Sequence, residues 1–284
     1  MLPTPRSRSR RSLGAGLTLA AAVAALAACG DSVAPRTSAL SDAQIAADVA
    51  ATAGEAIAGE VADFSSDASA AGVASVAAAA PAAVVGCPYD AATRTHVCAA
   101  VTERGLEVTR TYQFRDASTT PMQSYDAAST ASIYFTRTAD GNVTATTETG
   151  ATWTAATHRS AQQTVSGLLG DETQRVWDGG GESHDTTAYS DAAGSRRYAG
   201  AATQTTREVV MKLQHASFPY PTSGTISRSV NYTLTVVGAV DATRTVSRTA
   251  VATFNGTALV PLVVNDAVTC TLNLDTGKIG GCGR

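Results

Sequence analysis

Alternation of apolar and polar positions is clearest in Ile226-Ser-Arg-Ser-Val230-Asn-Tyr232-Thr-Leu234-Thr-Val236, where even-numbered residues are mainly apolar and odd-numbered ones are Ser, Asn or Thr. A period of two sends successive side chains to opposite faces of an extended chain, so this run predicts a strand with one buried and one hydrated face. Comparable alternation marks Leu106 through Phe114, Val246 through Phe254 and Val268 through Leu274. Asp140-Gly141, Asn255-Gly256 and Asp275-Thr276-Gly277 read as hairpin turns, and short hairpins join only antiparallel neighbours. Residues 84–284 are therefore expected to form a mainly β domain, an antiparallel meander built as a sandwich or as an open half-barrel. The stretch 145–205 is the least legible, because Thr147 to Thr164 shows little clean alternation.

Ahead of this region the period changes. Ile45, Val49, Ala53, Ile57, Val61 and Phe64 recur at helical spacing, which predicts one N-terminal amphipathic helix over 41–64. Ser41 and Gln44 have capping-box spacing, Leu40 is placed to staple to Ile45, and Asp42 suits the positive end of the helix. Steps of four drift around a 3.6-residue turn, so the apolar face is broad and calls for a large docking surface, the β domain. Asp48, Glu55 and Asp63 fall among the polar positions. Residues 65–83, mostly Ala, Ser and Gly with Pro81, read as a linker.

Residues 13–28 are apolar or small and follow Arg6, Arg8, Arg10 and Arg11 with no acid among them. The run is shorter than the roughly 20 residues that cross a bilayer, and its flanks fit a signal peptide at 1–28. It closes on Leu26-Ala27-Ala28-Cys29, which resembles the lipobox of bacterial lipoproteins. The resemblance covers residues 1–30 only. It implies cleavage before Cys29, a diacylglycerol on the Cys29 sulfur and an acyl chain of the palmitate kind on the new amino group, with residues 29–40 as a tether. Two or more chains make a stable anchor where one does not. Gly30, standing where familiar inner-membrane lipoproteins carry Asp, implies the outer membrane.

Loss of the four arginines in residues 1–28 takes the net charge from −3 to −7. The remaining arginines are spread along the chain rather than clustered, so nucleic acid is not an expected partner. Cys87, Cys98, Cys270 and Cys282 remain besides Cys29, and an even number in an exported chain favours disulfides. Counting outward from a loop at Asp275-Thr276-Gly277 sets Cys270 opposite Cys282. A loop at Ala91 to Arg94 sets Cys87 opposite Cys98 in the same way, and facing strand positions lie within bridging distance. Four zinc thiolates would need much closer spacing.

Asp178-Gly-Gly-Gly-Glu182-Ser-His184-Asp185 crowds glycines with potential metal ligands but lacks the alternating spacing of a calcium loop, and is read as a flexible loop between strands. No Gly-x-Ser-x-Gly elbow accompanies the histidines. The sequence thus points to an envelope lipoprotein that binds or supports rather than catalyses, with no cofactor or metal. Its partners would be the membrane through Cys29 and an apolar small ligand or envelope protein. The alternative is a periplasmic or surface hydrolase or metal-dependent enzyme using His184 or His158 with neighbouring acids.

Overall fold

The computed structural model describes residues 40–73, 86–147, 150–170, 172–191, 194–213, 220–237 and 242–283. Among the described residues, one helix, α1 (Asp42–Ala70), precedes fourteen strands. These are β1 (Tyr89–Asp90), β2 (Thr95–Val97), β3 (Val101–Glu103), β4 (Leu106–Arg115), β5 (Pro121–Met122), β6 (Ser132–Thr146), β7 (Thr152–Ser166) and β8 (Gln174–Asp191). They continue as β9 (Gly194–Lys212), β10 (Ser223–Val237), β11 (Ala242–Thr253), β12 (Leu259–Val264), β13 (Val268–Asn273) and β14 (Ile279–Gly283). All fourteen join one open antiparallel sheet in the order β1-β2-β4-β6-β7-β8-β9-β10-β11-β12-β13-β14, with β3 and β5 pairing β4. The meander is therefore a single sheet that does not close into a barrel, and the sandwich alternative falls away.

The inner face of this sheet holds α1. Ser41 caps the helix, its Oγ accepting the Gln44 N–H at 3.1 Å. The Gln44 side chain turns away from the cap and donates to Asp48, so only half of the expected capping box forms. The helix runs on through Ser65 and Ser66 to Ala70, past the expected end at 64. Its stop is Gly72, at φ +73°, where Val73 N–H bonds back to Ala68 O and Gly72 N–H to Ser69 O. That pair of bonds is a Schellman closure, which needs a residue in the left-handed region. Of the residues assigned to a linker, 65–70 are thus helical, and 74–83 lie outside the described residues.

One end of the core stacks Phe64 on Trp177 with ring centroids 4.5 Å apart, and Phe135 adds to the stack. Along the helix Ala50, Ala53 and Ile57 join Ala250, Val260, Leu262 and Leu272 in the same cluster. Each large side chain so buried contributes about 1.5–3 kcal/mol. On the outer face the β-branched hydroxyls pair across strands, Thr109 with Thr138 and Thr111 with Thr136, at 2.6 Å in both cases.

The region without clean alternation forms long strands: β7, β8 and β9 have 15, 18 and 19 residues. Asp178 to Asp185 is not a loop but part of β8. A Cβ on Gly179 or Gly181 would stand 2.1 Å from Gln162 O or 2.3 Å from Ser160 O, so these glycines allow a strand crossing too close for any side chain. The β8–β9 register shifts at the same place, between Trp177 and Gly179. Asp140-Gly141 likewise lies inside β6 rather than at a turn. Gly141, at φ +148°, sits against the Gly105 carbonyl, which a Cβ would meet at 2.8 Å.

Both disulfides form as the hairpin count expects, Cys87 with Cys98 and Cys270 with Cys282. The first follows the expected register, with Asp90 facing Thr95 and Tyr89 facing His96. The second does not: the ladder next to the turn pairs Leu272 with Ile279, one residue away from the expected pairing. A shift between Thr269 and Thr271 then restores it, so that Thr269 faces Gly283, with Gly281 at φ +59°.

Candidate functional site

Inside the curved sheet the helix and the strands meet through charges as much as through apolar groups. Strands β4, β6, β7, β9 and β10 each send one arginine inward: Arg110, Arg137, Arg159, Arg196 and Arg228. Four of them pair with carboxylates on α1. Arg196 grips both oxygens of Asp48 at 2.5 and 2.6 Å, Arg159 reaches Glu55 at 2.9 Å, and Arg110 meets Asp67 at 2.7 Å. Arg137 lies 2.6 Å from Glu60 and 3.1 Å from both Asp63 and Asp67. Of the helix acids that fall among the polar positions, Asp48 and Asp63 are therefore buried.

Burial pushes the Asp63 carboxyl up to about 6 despite Arg137 and Arg104, and it raises Asp67 in the same way. Burial also raises the Tyr198 hydroxyl, with the Asp48 carboxylate adding to the effect. Asp185, on the inner face of β8, shows the opposite balance. Its burial is outweighed by Arg228, by the Thr157 hydroxyl that donates to it, by Arg159 and by Ser183, and its carboxyl lies below the usual range.

With α1 in place the interior beside Arg137, Arg159, Arg228 and Asp63 holds a small polar space of about 40 Å³, large enough for water but not for an organic ligand. Room for a ligand is found instead at the open seam. A groove of about 420 Å³ runs between the first half of α1, the β6–β7 hairpin and the β13–β14 hairpin, lined by Ala47, Ala51, Ala145, Trp153, Ile279 and Lys278. That volume lies within the roughly 300–1,000 Å³ typical of small-molecule sites. Its acids Asp48 and Asp191 are already bound by Arg196, and Glu55 by Arg159. Lys278 is exposed and has no acidic partner among the described residues. An apolar floor beside one unpaired cation suits a molecule with an apolar body and an anionic head.

The described histidines separate into different environments. His96 is structural: its ring stacks on Tyr112 at 4.6 Å, and its nitrogens lie at hydrogen-bond distance from Cys87 O and Gln123 O. His158 and His184 stand side by side on the outer face, with Asp140 against His158. Neither lines the groove. Cys29 and His215 lie outside the described residues. Among those residues no three His, Cys, Asp or Glu side chains close on a metal position, and no helix is long and apolar enough to cross a membrane.

The sequence reading missed Trp153 and Lys278. The available signal was rarity, since the chain has two tryptophans and two lysines. No family model, no curated protein and no solved structure matches this chain.

Proposed function

We propose that this protein is a lipid-anchored component of the bacterial envelope, held at the outer membrane by acyl chains on Cys29, whose β domain binds a single-chain anionic amphiphile at the seam. The observation that carries the reading is the groove of about 420 Å³ with its apolar floor and the unpartnered Lys278 beside it. The apolar body of the ligand rests on Ala47, Ala51, Trp153 and Ile279, and its head group meets the Lys278 ammonium.

Tryptophan fluorescence tests this directly. Trp177→Phe leaves Trp153, which lines the groove, as the only tryptophan. A brominated fatty acid is expected to quench Trp153 saturably, and Lys278→Glu to weaken that binding at least tenfold, as loss of an ion pair on a small ligand would. Mass analysis of protein from its native membranes is expected to find Cys29 acylated. Absence of saturable quenching, or quenching unchanged by Lys278→Glu, overturns the ligand assignment. An unmodified Cys29 overturns the anchor.

A further inference from the structure

The outer face of the sheet is rich in Thr and Ser, and one row gathers acids and histidines. Across four consecutive strands in the sheet, Glu107 of β4 faces Asp140 of β6, Asp140 faces His158 of β7, and His158 faces His184 of β8. Beyond His184 the row continues into Ala201 of β9, so the ligand-type residues are contiguous and then end. Directly facing residues on antiparallel strands have Cα atoms about 4.5–5.5 Å apart and side chains on the same side. The two imidazoles are therefore neighbours, and both are open to solvent. They contrast with His96, whose ring nitrogens both lie against backbone carbonyls.

We propose that His158 and His184 form a two-imidazole site for a divalent transition-metal ion of the Zn²⁺, Ni²⁺ or Cu²⁺ class, with Asp140 as its positioning residue. The Asp140 carboxylate lies against His158 Nδ1. That contact sets the tautomer and leaves Nε2 as the nitrogen free to take the metal, the arrangement by which carboxylates orient and strengthen imidazole ligands. Imidazole suits these metals, whereas Mg²⁺ and Ca²⁺ prefer oxygen donors. Glu182, exposed two residues before His184 on the same face of β8, adds negative charge near the ion together with Glu107. Two protein ligands leave the other positions to water, so the site binds and releases metal rather than locking it as a four-ligand structural site does.

The test uses the full-length protein in detergent without an affinity tag, titrated with Zn²⁺ by calorimetry and with Cu²⁺ by electron paramagnetic resonance. One ion per chain is expected, with a two-nitrogen splitting in the copper spectrum. His158→Gln and His184→Gln should each weaken uptake at least tenfold and reduce the spectrum to one nitrogen. Asp140→Asn should keep the two-nitrogen spectrum while lowering affinity roughly tenfold, the low end for loss of an orienting carboxylate. All three residues are exposed, and unchanged circular dichroism would show that the fold survives. Absence of saturable uptake by the wild type, or uptake that survives in the His158→Gln/His184→Gln double variant, overturns the proposal.

Discussion

The helix is held between two walls of the same sheet that differ in chemistry. Strands β12 and β13, with Ala250 and Ala252 of β11, face it with Val260, Leu262, Val264, Cys270 and Leu272, all essentially buried. Near this wall the approach is close enough that a Cβ on Gly54 would stand 2.5 Å from Ile279 Cδ1 and 3.2 Å from Leu272 Cδ1. Strands β4 to β9 instead meet α1 with Arg110, Arg137, Arg159 and Arg196, long side chains that carry charge onto Asp67, Glu60, Asp63, Glu55 and Asp48. Aliphatic contact is non-directional and stabilises in proportion to buried area. Buried ion pairs roughly offset their own desolvation but penalise any arrangement that separates them. Apolar burial on both walls, including Phe64 against Trp177 and Phe135, supplies the stability, and the arginines of the second wall select the rotation and axial position of the helix.

The strongest way to break this comparison is to leave the charges on one side only. Arg137→Met removes the guanidinium that Glu60, Asp63 and Asp67 share, leaving three buried acids to Gln163, Arg104 and Arg110, and is expected to cost about 4 kcal/mol in urea denaturation at pH 7. Restoring the balance by adding Glu60→Gln and Asp63→Asn should recover a good part of the loss. Failure to recover would mean that the arginine contributes packing rather than registration. On the other wall Leu262→Ala, at a fully buried position, is expected to cost about 3 kcal/mol through lost transfer energy and the cavity left behind. That loss should be the same at every pH at which the protein folds.

The same contrast separates what was legible in the sequence from what was not. Where the inner residues are apolar, as in Ile226 to Leu234 or Val268 to Leu274, period-two alternation revealed the strands. In β7 the inward positions include Thr157, Arg159 and Gln163, which meet Asp185, Glu55 and Glu60, so a binary pattern of apolar and polar residues had no phase to detect. A signal did exist in the arginines: Arg110, Arg137 and Arg228 each stand in phase with flanking apolar residues such as Val108, Phe135 and Ile226. A charge in the apolar phase of a strand requires a buried partner: acids of α1 for Arg110 and Arg137, and Asp185 of β8 for Arg228. The turns were less legible for a different reason. Gly141 and Gly179 serve close approach to the neighbouring strand rather than reversals, and residue type alone does not distinguish the two uses of glycine. The site at the seam was illegible because it is assembled from α1, β7 and the β13–β14 hairpin, segments whose proximity follows only from the curl of the whole sheet.

Proton linkage at Asp63 gives the smallest but most discriminating effect. Its carboxyl is pushed up from 3.8 to about 6, chiefly by burial, so between these values the folded protein holds a proton that the unfolded chain has lost. Stability from this group is therefore highest at the acidic end of the window and declines as pH rises through it, levelling off above pH 6. Asp185 has the reverse sign: held below its usual range, it contributes stability that is present above about pH 4 and is lost as pH falls further. Asp63→Asn mimics the protonated state and removes the first slope alone. Between pH 4 and pH 7 the variant should gain about 2 kcal/mol on the wild type, a figure set by a shift of about two units at 1.36 kcal/mol each and reduced for partial solvent access. Urea midpoints measured across that range check it, with Leu262→Ala as the pH-independent control. A flat difference between Asp63→Asn and the wild type would mean that Arg137 and Arg104 fully compensate the buried charge, and the two walls would then differ in geometry but not in energetic cost.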